Sequence, residues 1–379
     1  MSLSYLTFTN MRFLLTIPNR NSGGGERTYI RLAEDLTALG HDVVLLLCEP
    51  YNAHLGEYPL MDIPENVKCV SLNKKRVLFS ILPFGRFTAS FKPDIVFSTI
   101  PHMNEMVILS KLMFGQKHPV CIRENSITTG TFNGKLGKIK LWLRNFLYSR
   151  ASMIWCVSDN VRKDLTSQGV KNPNIQVLYT PVLNDTFLRR SAEPLPSKFA
   201  YLETEPYFVT AARLEPIKNQ AYMIRAFARI ADKIPHKLVL VGDGSLRGEL
   251  ESLAKSLNVS DRVVFAGFHE NARPFIAHAS LFLLTSSSEA GSRALIEAIC
   301  LGVNCVVTDP LGCEYLDYGK IGRVIKKHDE SLYAQAILDE LKSPTVDSET
   351  LKEYGRRNFS ASDNIKKLSK LVELLVNRK

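Results

Sequence analysis

The sequence predicts an α/β protein with two doubly wound domains that face a central cleft. Its 379 residues exceed the size at which one hydrophobic core keeps growing, so two domains are expected. Short apolar runs alternate with helical stretches, which is typical of parallel sheets covered by helices on both faces. This pattern stops in a polar, proline-containing segment and then restarts. We therefore expect domains over 1–185 and 207–365, a linker over 186–206, and a C-terminal helix over 366–379 that packs back on the N-terminal domain.

The N-terminal half opens with a βαβ pattern. Residues 12–17 form a short apolar run, and a glycine-containing loop leads from it into a stretch with apolar residues at helical spacing. Gly40 suits the position just past the end of that helix, and residues 43–47 form the next buried strand. The remaining apolar runs of this half, each followed by turn residues, are 95–100, 120–122 and 153–157.

The C-terminal half repeats the alternation of strands and helices. Its apolar runs, each leading toward a helix, are 207–212, 237–241, 263–266, 281–285 and 304–308. Ligands of doubly wound sheets bind beyond the carboxyl ends of the strands. The residues that directly follow each run are therefore the candidates for binding and chemistry.

The composition excludes several classes of protein. With 45% hydrophobic and 23% charged residues, the chain is neither disordered nor fibrous. No apolar stretch is long enough to cross a bilayer, and Met1–Asn10 lacks the basic region and apolar run of a secretory signal. The 7 cysteines are scattered, without metal-ligand spacing, so we expect reduced thiols and no metal site in a cytoplasmic protein.

The positive charge of the chain is concentrated in its first half. Of the net charge of +10, residues 1–190 carry +9, from 23 cations against 14 acids. A surface with such an excess is expected to face an anionic partner: phosphate, nucleic acid or acidic lipid.

The segment that follows the run 281–285 carries the densest set of candidate residues. Glu289 precedes a predicted helix, and Glu297 lies about two turns later, facing the same cleft. The backbone N–H groups that open this helix, together with its dipole, form a site suited to a diphosphate. The residues that supply them are Gly291, Ser292, Arg293 and Ala294. A capped helix with two surface glutamates would show the same pattern.

Other strand ends of the second half carry complementary groups. Arg213 and Lys218 follow the run 207–212, where two cations can neutralise a departing diphosphate; a solvated basic loop is the alternative. Gly242 and Asp243 form a tight turn after 237–241 that lets a ligand approach the backbone. Gly267 and Phe268 follow 263–266, where backbone amides can hold a flat base.

In this order, the segments resemble the nucleotide-sugar half of a retaining glycosyltransferase of the two-Rossmann (GT-B) kind. The resemblance is to the glycogen-synthase-like group that builds bacterial surface sugars, and it covers nearly the whole chain. Residues 22–27 resemble the Gly-Gly loop of that group, and 156–158 and 177–182 resemble its last N-domain strand and pre-linker turn. Glu289 and Glu297 match its Glu-x7-Glu motif.

The resemblance implies a role for each matching residue. Arg213 and Lys218 would bind the donor diphosphate and stabilise its departing charge, so they count with Glu289 as catalytic residues. Glu289 would contact the transferred sugar, Glu297 would hold the ribose, and the backbone of 291–294 would cradle phosphate and sugar.

The resemblance also implies the reaction. Gly24 and Gly25 would let the N-terminal loop close over the reaction centre. Transfer would proceed with retention and without an essential metal or other cofactor. A UDP-linked hexose or N-acetylhexosamine would be the donor, and a lipid-linked or lipopolysaccharide-type glycan the acceptor.

The sequence departs from the pattern of this group at three positions. Ala290 replaces a glycine of the motif, and Thr180 replaces the common asparagine before a proline. Many relatives have a histidine after the strand 120–122, whereas this chain has Asn125, which cannot act as an acid or base. Asn125 can still hydrogen-bond a sugar hydroxyl, and His102 is a second candidate for the acceptor side.

A basic, aromatic helix in the first half predicts peripheral membrane binding. Residues 135–150 contain no acid, and aromatic and cationic side chains of this kind suit an anionic membrane interface. The residues expected to contact lipid are Lys135, Lys138, Lys140, Trp142, Arg144 and Phe146. A second basic and apolar stretch is 74–87. A core-facing apolar side is the alternative for each, and no recognised nucleic-acid module is present. We expect a protein on the inner face of the cell membrane.

Two other functions are compatible with parts of the sequence. An NAD-dependent oxidoreductase would explain the glycine loop 23–25 and Glu49 at the end of the next strand, although the glycine spacing is incomplete. A sugar-nucleotide-binding protein without turnover would explain Asn125 and Ala290.

Overall fold

A computed structural model describes residues 10–21, 24–52, 60–309, 313–326 and 329–377. The chain divides into two compact units. The first unit combines Met1–Leu178 with Lys367–Lys379, and the second is Tyr179–Lys366. Among the residues described, no helix is long and apolar enough to span a membrane.

The first unit is a parallel sheet with helices between its strands. Its strands are β1 (Arg12–Ile17), β2 (Asp42–Leu47), β3 (Lys68–Ser71), β4 (Ile95–Thr99), β5 (Val120–Glu124), β6 (Met153–Cys156) and β7 (Ile175–Val177). Its helices are α1 (Gly24–Ala38), α2 (Ile81–Phe91), α3 (Pro101–Met113), α4 (Gly134–Ser149) and α5 (Asp159–Ser167). The strand order is β3-β2-β1-β4-β5-β6-β7, so the direction of winding reverses between β1 and β4.

The second unit repeats this arrangement with six strands. They are β8 (Tyr207–Ala211), β9 (Lys237–Val241), β10 (Val263–Gly267), β11 (Leu281–Leu284), β12 (Cys305–Thr308) and β13 (Arg323–Ile325). The helices that begin in this unit are α6 (Asp185–Ser191), α7 (Gln220–Ala228), α8 (Arg247–Ser256), α9 (Arg273–Ala277), α10 (Arg293–Leu301), α11 (Glu330–Lys342), α12 (Ser348–Phe359) and α13 (Ala361–Val376). The order β10-β9-β8-β11-β12-β13 reverses between β8 and β11.

Continuous apolar runs form these strands because both faces of each sheet are covered. In β8, Phe208 packs in the core on one face of the sheet and Val209 in the core on the other, and both are fully buried. Leu238 and Val239 of β9 divide in the same way. The prediction of two parallel, doubly wound α/β sheets is confirmed.

The segment 186–206, expected to be a linker, instead belongs to the core of the second unit. It contains most of α6 and the 3-10 helix Ser197–Glu203. Phe187, Phe199 and Leu202 are buried at 2%, 5% and 1% exposure in the core of that unit. These apolar side chains are separated by polar residues, which hides their spacing in the sequence. The units divide after Leu178, several residues before the expected boundary.

The C-terminal helix α13 contributes to both units. It begins in the second unit, and its residues from Lys367 onward belong to the first. Leu368 and Val372, one helical turn apart, are buried in the same core as Leu15 and Tyr29.

Candidate functional site

The main group of predicted residues lies at one edge of the second sheet. All its strands run parallel, so their carboxyl ends meet at that edge. β8 and β11 are neighbours at the point where the winding reverses. Lys218 lies in the connection after β8 and Glu289 in the connection after β11. The reversal point of a doubly wound sheet is where ligands bind, because the two connections diverge to opposite faces there.

The structure joins Lys218 and Glu289 in an ion pair. Lys218 Nζ lies 2.5 Å from Glu289 Oε2, and the two side chains are only 19% and 12% exposed. The Thr285 hydroxyl donates to the carbonyl of Lys218 at 3.1 Å, and the Ser287 N–H donates to the carbonyl of Ile217 at 2.8 Å. These bonds fasten the two connections together, so the ammonium and the carboxylate are held side by side at the edge of the sheet.

Glu297 lies in the second turn of α10 and is 7% exposed. Its Oε1 accepts from Arg273 Nε at 3.3 Å and from Arg293 Nε at 3.2 Å. Burial lowers the pKa of Arg273, while the Glu297 carboxylate acts in the opposite direction. Glu297 Oε2 forms no hydrogen bond with any described residue. Arg273 was not among the predicted residues, because it belongs to a short helix that does not follow a strand end directly.

The predicted helix start is present at α10. Ser292 caps the helix, its hydroxyl oxygen accepting from the Leu295 N–H at 3.3 Å. The helix ends at Gly302, whose φ of 74° belongs to the left-handed region. Gly291 and Ala294 flank this start, and the N–H groups of the first turn are those a helix leaves without an internal partner.

The remaining predicted residues of the second unit differ in exposure. Arg213 is exposed, and its carbonyl accepts from Gln220 Nε2 at 2.8 Å. Asp243 is engaged inside its turn, since it accepts from the Gly244 N–H at 2.8 Å and from Arg247 Nη1 at 3.0 Å. Phe268, after β10, is 44% exposed.

Gly242 and Gly267, the two glycines predicted to lie near the donor, both have a positive φ where a strand ends. Gly242 has a φ of 140°, and a Cβ there would lie 2.0 Å from the Ala212 carbonyl oxygen, so only glycine fits. Gly267 has a φ of 81°, and the N–H of Gly242 donates to its carbonyl at 2.8 Å. A contact of either glycine with a donor stays a prediction.

Three residues meet at the carboxyl edge of the first sheet. A Cβ on Gly25, in the first turn of α1, would lie 3.1 Å from Asn125 Nδ2 and 3.3 Å from Thr99 Oγ1. Thr99 ends β4, and its buried hydroxyl has no hydrogen-bond partner within the described ranges. Gly24 is exposed at the start of α1. Ser22 and Gly23 of the predicted glycine loop lie outside the described residues.

A buried carboxylate fixes the backbone around Asn125. Glu124 is fully buried and accepts from the N–H groups of Asn125 and Ser126, both at 3.1 Å, and from the Tyr148 hydroxyl at 2.7 Å. Burial raises its pKa, and these bonds act in the opposite direction. His102 lies in the first turn of α3, where burial lowers its pKa and Glu49 opposes that shift.

Helix α4 presents an exposed apolar and basic face. Trp142 and Phe146 are 67% and 40% exposed, with ring centroids 5.9 Å apart. The other exposed members of this face, called the α4 patch here, are Lys135, Leu136, Lys138, Ile139, Lys140 and Leu143.

Arg144 does not belong to the α4 patch, so the expectation that it contacts lipid is wrong. It is 1% exposed, and its guanidinium donates to Thr128 Oγ1 at 2.6 Å and to Gln168 Oε1 at 3.0 Å. Two residues along a helix correspond to about 200°, which turns Arg144 away from Trp142 and Phe146.

Two family models match the chain, one in each half. The model described as Glycosyltransferase Family 4 matches residues 22–183, and the model described as Glycosyl transferases group 1 matches residues 192–358. Both halves of the chain are therefore similar to glycosyltransferases.

Curated relatives include glycosyltransferases of bacteria and of an archaeon. One is the N-acetylgalactosamine-N,N'-diacetylbacillosaminyl-diphospho-undecaprenol 4-alpha-N-acetylgalactosaminyltransferase of Campylobacter jejuni, 27% identical over 304 residues, which are 76% of this chain and 78% of the relative. Another is the N-acetyl-alpha-D-glucosaminyl L-malate synthase of Bacillus anthracis, 27% identical over 216 residues, which are 57% of this chain. The chain spans 56% of that synthase and 56% of an uncharacterized glycosyltransferase of Methanocaldococcus jannaschii.

Solved structures of similar fold cover nearly the whole chain. Anabaena Alr3699/HepE, in complex with UDP and glucose, has a TM-score of 0.76 at 16% identity, covering 96% of this chain and 100% of its own. WaaG, a glycosyltransferase involved in lipopolysaccharide biosynthesis, has a TM-score of 0.69 at 17% identity, with 96% and 99% covered. At these identities the similarity is one of fold.

Proposed function

We propose, since the chain belongs to the GT-B glycosyltransferases of the glycogen-synthase-like group, that it transfers a sugar from a nucleotide-sugar donor to a surface glycan. The observation that carries this proposal is the Lys218–Glu289 pair at the reversal point of the second sheet. A cation for a phosphate and a carboxylate for sugar hydroxyls stand side by side there. A UDP-linked hexose or N-acetylhexosamine is the proposed donor.

The proposed chemistry places the departing charge on the diphosphate. The acceptor hydroxyl attacks the anomeric carbon on the face from which the phosphate leaves. The bond from that carbon to the phosphate oxygen breaks, its electron pair stays on the diphosphate, and the leaving phosphate oxygen takes the hydroxyl proton. Lys218 and Arg213 stabilise the developing charge, as fixed cations do in place of a metal. The configuration at the anomeric carbon is retained.

Other residues of the second unit bind the donor in this proposal. Glu289 accepts hydrogen bonds from hydroxyls of the transferred sugar, and Glu297 accepts from the ribose through its second oxygen. The N-terminus of α10 faces the phosphates, which its dipole and unpaired N–H groups favour. The backbone at Gly267 and Phe268 holds the base. In the first unit, Asn125 and His102 are the proposed acceptor-binding residues.

The α4 patch is the proposed membrane-binding surface. Trp142 and Phe146 would enter the headgroup region, while the three exposed lysines bind anionic lipid. A lipid-linked acceptor would explain why an enzyme that uses a soluble nucleotide-sugar donor has a membrane-binding surface. The proposed location of the protein is therefore the inner face of the cell membrane.

The two alternatives differ in their support. An NAD-dependent oxidoreductase is not favoured, because both halves of the chain match glycosyltransferase models. A binding protein without turnover remains compatible with Asn125 in place of a histidine, and slow hydrolysis of a bound donor would contradict it.

A panel of UDP-, GDP- and ADP-sugars tests the proposal. We expect one nucleotide, UDP first, to raise the melting temperature of the protein. Mass analysis with a polyprenyl-diphosphate-linked glycan as acceptor should then show a product heavier by one sugar. Failure of all three nucleotides to shift the melting temperature, or binding of NADH instead, would contradict the proposal.

A further inference from the structure

A largely buried arginine that was not among the predicted residues, Arg273, contacts Glu297. The Arg273 side chain is 11% exposed and that of Glu297 is 10% exposed. Arg273 belongs to α9, which packs against α10, so the two side chains come from different helices. This contact is therefore built by the tertiary fold rather than by neighbours along one helix.

The guanidinium of Arg273 is held from three sides. Its Nη1 donates to Asn271 Oδ1 at 3.3 Å, its Nε donates to Glu297 Oε1 at 3.3 Å, and it lies over the ring of Phe187, 5.4 Å from the centroid. A planar guanidinium held in this way has one orientation, which a flexible ammonium would not have.

The contacts of Glu297 are divided unequally between its two oxygens. Oε1 accepts from both Arg273 and Arg293, whereas Oε2 has no hydrogen-bond partner among the described residues. Arg293 is the more exposed partner, at 34%. The two guanidiniums thus bind one oxygen and leave the other without a hydrogen-bond partner among the described residues.

We propose that Arg273 is a positioning residue for ribose recognition: it orients the Glu297 carboxylate so that Oε2 accepts from the ribose hydroxyls of the nucleotide. The inference rests on the ribose role proposed for Glu297. Charged hydrogen bonds from the ribose hydroxyls to this carboxylate would distinguish a ribose from a 2′,3′-dideoxyribose. Such bonds depend on geometry, so the accepting oxygen must be held in a fixed position. Arg273 contributes that fixation without touching the nucleotide.

The test compares a nucleoside diphosphate with its 2′,3′-dideoxy analogue, using whichever of UDP, GDP and ADP the wild-type protein binds most tightly. Calorimetric titration gives the ratio of the two dissociation constants. In the wild type we expect the analogue to bind roughly 10- to 100-fold more weakly. Arg273→Gln should reduce this ratio to within about threefold of one, as Glu297→Gln should.

A second variant and a matched control separate positioning from folding. Arg273→Lys keeps the charge and the aliphatic stem but lacks the planar fork, so its ratio should also fall severalfold. Arg323→Gln breaks another ion pair, in which Arg323, at the amino end of β13, lies 2.7 Å from the fully buried carboxylate of Glu340. It should lower the melting temperature and leave the ratio at the wild-type value.

The outcomes distinguish a failure of the positioning role of Arg273 from a failure of the ribose role proposed for Glu297. If Glu297→Gln lowers the ratio and a folded Arg273 variant keeps the wild-type ratio, the positioning role is wrong and the proposed function stands. If Glu297→Gln keeps the wild-type ratio, or the wild type does not discriminate between the ligands, the ribose role of Glu297 fails and the inference fails with it.

Discussion

Replacing Glu289 with glutamine should tighten the binding of a free nucleoside diphosphate while it slows sugar transfer. Lys218 Nζ lies 2.5 Å from Glu289 Oε2 in a largely buried pair. A diphosphate that binds this ammonium must first draw it away from the carboxylate. Glu289→Gln removes that competition, so Lys218 is available to the phosphates from the start.

The magnitude follows from the burial of the pair. Exposed ion pairs contribute about 0.2–1 kcal/mol, and this pair is screened less by water because its side chains are 19% and 12% exposed. Taking about 1–2 kcal/mol, the dissociation constant of the diphosphate should fall by roughly 5- to 30-fold. A donor that carries its sugar loses a charged hydrogen bond of about 1.5–3 kcal/mol in the same variant, so its affinity should not rise.

Calorimetric titration of UDP and of a UDP-sugar measures both effects. The gain in UDP affinity should disappear when Glu289→Gln is combined with Lys218→Met, because no ammonium remains to be released. Glu215→Gln is the matched control, since it neutralises a carboxylate of the same connection that does not pair with Lys218. Equal or weaker UDP binding by Glu289→Gln, or the same gain in Glu215→Gln, would refute the reasoning.

Three further predictions concern other parts of the molecule. Arg213→Ala should lower the rate of sugar transfer by about 100-fold with an unchanged melting temperature, and a near-normal rate would show that the donor binds elsewhere. Replacing the three lysines of the α4 patch with serine should weaken sedimentation with anionic vesicles by roughly 100-fold at low salt, with donor binding intact; pelleting like the wild type would count against membrane binding. Gly242→Ala should destabilise the fold by about 2–4 kcal/mol in chemical denaturation, because its Cβ would meet the Ala212 carbonyl at 2.0 Å. Gly248→Ala, in α8 with open space around its Cβ, should be neutral or slightly stabilising, and equal losses in both variants would contradict the steric argument.

The alternation of apolar runs predicted most of the strands, but not the short ones at the sheet edges. β3, β7 and β13 have only three or four residues, and most of their side chains are partly exposed. Their sequences therefore lack the continuous apolar run that identified the central strands. A short edge strand is recognised by its pairing with a neighbouring strand. The sequence does not show that pairing.

The candidate site was predictable where residues directly follow strands. Lys218 and Glu289 are 71 residues apart, yet they meet because β8 and β11 end at the same edge. Arg273 was missed because it lies in a short helix that does not directly follow a strand end, and only the tertiary fold brings it to Glu297. Arg144 was misassigned because a cation on a basic helix suggests exposure, whereas tertiary hydrogen-bond partners bury it.

Nuclear magnetic resonance of the transfer reaction tests the central claim most directly. The wild type and Lys218→Ala would be incubated with the nucleotide-sugar that binds and with a lipid-linked acceptor, and the phosphorus and anomeric proton signals followed in time. The proposed function predicts release of nucleoside diphosphate by the wild type, a product whose anomeric configuration matches that of the donor, and a rate about 100-fold lower in Lys218→Ala. A product of inverted configuration, or release at the wild-type rate by Lys218→Ala, would contradict it.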